Sequence, residues 1–313
     1  MFNYVIRRLL YSVPILLGVI ALTFLLFNVL QTPEAAAAMA IGSKAPQQAR
    51  EAWIKSRGLD RPKTEQFVKH VKNLATFQFG TSWKTGRELN EVFRQGAGPS
   101  LLITLPGFLA GLIGGVGLAL YQVYVRKSLL DRSITLFAVA LMSVPTVVYI
   151  FFLQAVGALA LNYFPASGFD WRGWETAKFV ALPIIVMAIV NLGSDVRLYR
   201  TIFMEEINQD YVRTALAKGL SSGVVLGKHV LKNGLIALIT LTVATLPRLI
   251  MGSLLIENFF GIPGLGNLLV MAIGTSDQPV VLACTYLGSL LYIGGLILTD
   301  VCYALADPRI RLS

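Results

Sequence analysis

Apolar runs of about 20 residues recur along this chain, separated by short segments that hold most of its positive charge, and this constrains its fold most. A helix of that length rises roughly 30 Å, the thickness of a hydrocarbon core. In lipid every backbone N–H and C=O must find its partner within the protein, which a helix achieves alone. The runs therefore predict an all-α polytopic membrane protein with about six transmembrane helices, near 9–30, 100–124, 133–160, 179–196, 233–256 and 280–303. With 55% hydrophobic and only 14% charged residues, the chain is too apolar for an ordinary soluble domain.

Charge orients the spans. Arg7 and Arg8, then Arg126, Lys127 and Arg132, then the block 197–232, and finally Arg309 and Arg311 fall on alternate sides in register, which predicts cytosolic N and C termini. Segment 31–99 is rich in Lys and Arg yet falls on the outer side; a loop longer than about 60 residues is translocated largely regardless of charge. Its Trp53, Phe67, Phe77, Phe79 and Trp83 predict a small, mostly helical periplasmic cap. The organisation expected is thus 1–30 for the first span, 31–99 for the cap, 100–303 for the transmembrane domain with a cytosolic loop at 197–232, and 304–313 for a cytosolic tail. Ala35–Ala40 resembles a signal-peptide cleavage region, but the preceding run exceeds the 7–15 residues of a secretory apolar core, so a retained first helix is expected.

Several function classes fall away. A net charge of +10 suggests nucleic acid, but the basic residues lack interleaved stacking aromatics. Cys284 and Cys302 both lie in the last run, which excludes a disulfide framework or a CxxC metal site. His70 and His229 fall in different compartments, and no nucleophile or carboxylate pair stands at a convincing spacing. Gly223–His229 imitates a phosphate loop but has three residues between its glycines instead of four, and His229 where a magnesium-binding Ser or Thr is required. No enzyme activity, metal or bound cofactor is expected of this chain. Gly107, Gly111 and Gly115 recur every four residues, which predicts close helix packing on one face.

The most informative stretch is cytosolic: Tyr211, Val212, Arg213, Thr214, Ala215, Leu216, Ala217, Lys218, Gly219, Leu220 and Ser221. It resembles the loop Tyr-Val-Arg-Thr-Ala-x-Ala-Lys-Gly-Leu of the dipeptide/oligopeptide/nickel ABC importer permeases. Of the general ABC importer signature, Glu-Ala-Ala, three residues, Gly, nine residues, Ile-x-Leu-Pro, only Ala215, Gly219 and Leu231 match. Gly58–Pro62, Ser143–Thr146, Pro263–Gly266 and Asp307–Arg311 resemble the same branch, in the same order and on the expected sides. The resemblance implies a permease subunit of the bacterial inner membrane that forms half of a translocation pathway, with di- or oligopeptides as cargo. Nickel, opines, glutathione or haem are alternative cargoes within the branch. It further implies a second homologous permease, two ATPase subunits that hold ATP and Mg, and an extracytoplasmic substrate-binding protein. Residues 213–215 and 217–221 would form the loop that docks on an ATPase.

The residues themselves leave a solvated basic loop as an alternative for this stretch, and an ion-coupled carrier or a non-transporting scaffold for the whole. Carriers place charged relays within the spans. Here the clear mid-span charge is Arg248, since Asp195 and Asp300 fall near cytosolic helix ends. Arg248 shares a helical stripe with Ala237, Leu241, Ala244, Thr245 and Gly252, and Pro247 frees the carbonyl of Val243 beside it. Three readings stay open for Arg248: lining the pathway and attracting a cargo carboxylate, a structural ion pair with the partner permease, or snorkelling to the outer headgroups. Thr245, Pro247, Ser143 and Pro145 complete the pathway candidates.

Overall fold

The computed structural model describes the backbone of residues 2–306, with all side chains except those of 2–6, 244, 246–248 and 303–306. Helix α1 (Phe2–Phe24) ends in a π turn (Leu25–Val29). Three short helices follow, α2 (Pro33–Ile41), α3 (Gln47–Arg57) and α4 (Lys63–Ala75). Long α5 (Leu89–Tyr124) leads to α6 (Leu129–Ser143), α7 (Thr146–Leu153) with a π turn to Ala160, and long α8 (Trp174–Glu206). Beyond it come α9 (Asp210–Ala217), α10 (Ser222–Val225) with a π turn to Val230, and α11 (Leu231–Met251). The chain closes through α12 (Leu254–Phe260), α13 (Leu265–Thr275) and α14 (Gln278–Ala306).

Helices α5 and α8 form the spine. A Cβ added at Gly107 would stand 2.8 Å from the Met187 side chain, and one at Gly115 3.0 Å from the Tyr199 ring. The glycine stripe therefore works as a packing surface, letting α8 approach α5 more closely than larger residues allow. Helix α6 packs on α8 at Gly193, where a Cβ would meet the carbonyl oxygen of Ala138 at 2.6 Å. Helix α11 lies between α5 and α14, and α14 also carries α1, with Arg8 ion-paired to Asp300 at 3.1 Å.

The all-α polytopic class expected is present, but several elements differ from the sequence reading. The third span, read as one helix over 133–160, is broken after Ser143 and turns by 93° into the segment from Thr146. Pro145 forces Val144 into extended backbone (φ −94°, ψ 124°), which ends α6. The fifth span, read to 256, stops at Met251 because Gly252 takes φ +76°. Helix α13 was not anticipated. At about 10 and 16 Å, α12 and α13 are each too short to cross the hydrocarbon, and they form a pair bent by 69° beside α5 and α14. Finally, α5 begins at Leu89, so 89–99 is already part of the helix that carries the second span, and α8 runs on to Glu206, through the start of the loop read as 197–232.

The cap is three helices and a turn laid against α1 and α14. Gly58 (φ +69°) closes α3, its N–H and that of Leu59 bonding back to Lys55 and Ile54, and Pro62 starts α4. Buried Gln66 donates to the carbonyls of Leu59 (3.0 Å) and Arg61 (2.7 Å), which holds that corner. Phe67 meets Phe24 edge-on at 5.1 Å, and Trp53 meets Trp83 at 5.0 Å. Asp277, buried before α14, accepts from the Trp83 (3.0 Å) and Lys84 (3.4 Å) amides and the Ser82 hydroxyl, pinning the turn that precedes α5.

His70 lies beside Phe24, and burial lowers its pKa below the usual 6.5. A histidine favoured as neutral in the folded cap costs stability when it is charged, so the loss begins as pH falls below 6.5 and is complete below the folded value. Trypsin should nick the cap faster at pH 5.5 than at pH 7.5, and His70→Gln should flatten that difference. An equal pH response in His70→Gln would assign the effect to other groups.

Candidate functional site

Two places concentrate functional geometry: the short helix α9 and the break between α11 and α13. Asp210 and Gln209 open α9, and Val212 and Ala215 face inward. They join one core with Ala119 and Val123 of α5, Tyr199 and Phe203 of α8, Val225, Leu226 and Val230, and Leu238 of α11. Ala215, expected on a docking surface, is only 5% exposed and instead seats the helix. Arg213, Thr214, Ala217, Lys218, Gly219, Leu220 and Ser221 are exposed. Among them the Thr214 hydroxyl turns back on the Asp210 carbonyl (3.0 Å), and Arg213 reaches Asp210 at 3.4 Å.

The end of α9 explains the glycine. The Gly219 N–H bonds to Leu216 O (2.9 Å) and the Leu220 N–H to Ala215 O (3.3 Å), a closure that needs the left-handed conformation found at Gly219 (φ +83°). A Cβ there would meet nothing within 4 Å, so conformation rather than crowding within the chain demands Gly219. At the opposite end Tyr211 donates to Glu206, tying α9 to α8; burial, then that carboxylate, raises the tyrosine pKa.

Nearby, Arg200 grips Asp131 with both nitrogens (3.0 and 2.9 Å), while Gln122 and the Lys127 amide complete the carboxylate's partners. Helices α5, α6 and α8 are thereby fastened at one end. The sequence reading passed over this pair; its signal was Ser128-x-x-Asp131, where Ser128 caps α6.

At the other break, Glu257 is 0% exposed and accepts from the Ser253 (3.0 Å) and Asn267 (3.1 Å) amides, with the Ser100 hydroxyl and the Gly266 amide also directed at it. A Cβ at Gly252 or Gly264 would collide with this carboxylate. The glycines of the Pro263–Gly266 motif thus make room for Glu257, which was also overlooked; an acid immediately before two glycine turns in an apolar stretch was the available sign.

Of the pathway candidates, Ser143 and Pro145 flank the α6–α7 break, and Thr245, Pro247 and Arg248 lie on α11. Ser143 and Pro145 stand exposed at the α6–α7 break, the Ser143 hydroxyl bonded to Val139 O (2.8 Å). Thr245 bonds to Thr242 O within α11 (2.7 Å). Leu241 of the Arg248 stripe packs on the core under α9, and Gly252 of the same stripe is the helix break. Arg248 and Pro247 lie in α11, and their side chains fall outside the described residues.

Residues 107–312 match the family described as binding-protein-dependent transport system inner membrane component, and residues 1–85 match its N-terminal counterpart. The oligopeptide transport system permease protein AppB of Bacillus subtilis is 32% identical over 98% of this chain and 99% of its own length. The dipeptide transport system permease protein DppB of the same organism is 32% identical, covering 100% and 99%. The glutathione transport system permease protein GsiC of Shigella flexneri is also 32% identical, over 99% of each. With its apolar helices and a match spanning both ends, this chain belongs to the family of binding-protein-dependent transport inner-membrane components and is a multi-pass protein of the bacterial inner membrane.

Proposed function

We propose that this chain is a permease subunit of an ATP-driven importer and supplies half of a pathway for short peptides. The seating of α9 carries this reading: its exposed Arg213, Lys218 and Gly219 stand over a core shared by α5, α8 and α11. A push on α9 must therefore displace the helices that define the bundle, because close-packed interiors shift as units. In this reading α9 is cytosolic and docks on one of two ATPase subunits, with both termini on that side and the cap outside. The helical backbone of 222–230 supports ATP hydrolysis by separate partners, since a phosphate loop presents free amides. A second homologous permease would complete the pathway, and an extracytoplasmic binding protein would deliver cargo.

Peptide cargo follows from relatives named for oligopeptides, dipeptides and glutathione, itself a tripeptide. Arg248 of α11 is assigned to the pathway, where it attracts the carboxylate of the cargo; a charge of this kind in a span costs roughly 2.5–3.5 kcal/mol and is kept for a wet cavity or a partner. Uptake of a labelled tripeptide should fall on the order of tenfold in Arg248→Leu and be partly kept in Arg248→Lys, with copurification of the second permease unchanged. Loss of copurification would instead make Arg248 a structural ion pair.

A further inference from the structure

We propose a second carboxylate-binding site, at the cap end of the bundle, formed by Arg87 and Arg94 over a cavity between α5, α13 and the connection before α8. This rests on the peptide reading above and names a place where the free C-terminus of a peptide is held. The cavity measures about 660 Å³, within the range of pockets that enclose small ligands. Its walls differ in character. Val92, Trp171, Pro263, Leu268 and Met271 offer an apolar surface, and Arg87, Arg94, Gln95 and Asn267 offer polar groups.

The charges leave one cation over. Arg87 donates to the neutral amide oxygen of Gln95 (2.5 Å), and Gln95 passes its own amide to Glu91 (2.6 Å). Among the described residues the nearest acid to Arg94 is the same Glu91, at 3.9 Å, and the Arg94 side chain is 84% exposed. Glu91 thus answers at most one of two guanidinium groups. Neighbouring Arg172 and Asp170 neutralise each other at 3.0 Å, and Glu257, behind Gly264, is held by amides. One uncompensated guanidinium beside an aromatic and aliphatic wall suits a single carboxylate attached to an apolar residue, because guanidinium and carboxylate form a paired, directional contact.

The cavity is also built to stay open. Gly98 lets the Trp171 ring approach, where a Cβ would stand 3.3 Å from it, and Gly96 admits Leu265, where a Cβ would stand 2.9 Å away. Both contacts fix the connection before α8 and the start of α13 against α5. These contacts seat one side of the apolar wall on α5, while the largely exposed Arg94 can turn toward a ligand.

The test uses the assembled importer in nanodiscs and a benzophenone-labelled tripeptide, either as free acid or as C-terminal amide. Irradiation should label fragments containing 92–99, 171 or 263–271 with the acid. Labelling should fall about tenfold with the amide, and equally in the Arg87→Gln/Arg94→Gln double variant, with ATPase activity and subunit copurification unchanged. Equal labelling by acid and amide, or labelling elsewhere only, overturns the site. So does a variant that loses copurified phosphatidylglycerol but keeps its labelling, since the arginines then serve a lipid headgroup. Uptake of the acid peptide is measured with the same importer in proteoliposomes: transport without labelling defeats only this site, whereas absence of transport defeats the peptide reading beneath it.

Discussion

Gly219→Trp is expected to leave the chain folded and inserted but to abolish coupled uptake, by on the order of tenfold or more. The left-handed backbone at φ +83° costs a side-chain-bearing residue about 1–2 kcal/mol. That strain is small against the stability of the bundle but large enough to undo the last turn of α9, whose carbonyls at Ala215 and Leu216 are satisfied only through Gly219 and Leu220. The indole would also project into the open space over the exposed face. Gly219→Asn should retain more uptake, because Asn tolerates the left-handed region. Lys218→Glu should uncouple as well, by presenting the wrong charge at an unstrained position. Copurification of both ATPases with normal uptake in Gly219→Trp would sink the docking role of this turn.

The second large effect is expected at Glu257. Its carboxylate is wholly buried and answers amides of Ser253 and Asn267 on both sides of the α12–α13 bend. Glu257→Ala leaves those donors without an acceptor, at about 1–3 kcal/mol for each buried donor left unsatisfied. The purified chain should melt on the order of 10 °C lower and accumulate poorly in membranes. Glu257→Gln should fall between, since one amide oxygen can still accept while its NH2 group opposes a backbone donor. An unchanged melting temperature in Glu257→Ala would mean that the α12–α13 bend is held by its apolar contacts alone, chiefly Ile256, Phe260 and Ile262.

Much of this protein was legible because lipid simplifies the code. A run of about 20 apolar residues has one economical backbone solution, so the helical class and the close-packing glycine stripe followed from spacing alone. The α9 segment was legible as a motif, but which of its residues face out was not. Ala215 and Ala217 are chemically alike, and only their positions on a short helix against the core of Phe203 and Val230 separate them. Helix α13 was hidden for a related reason: its apolar residues, Leu265 to Ile273, blend in composition with the spans on either side.

The sequence by itself determined the solvent of this protein, its helical class and its family, because these depend on hydropathy and motif order along the chain. Tertiary structure decided where helices break and which charges are spent. Pro145 and Gly252 each announce a break, but the 93° turn at the first and the 69° bend after the second exist because other elements receive them: α8 beneath α6, and α5 through Ser100 and Leu265. Asp131 and Arg200 stand 69 positions apart, and Ser82 and Asp277 195 apart. No local pattern pairs such residues; packing of the helices does, since a charge or polar group removed from water must take the nearest partner that the fold brings within reach.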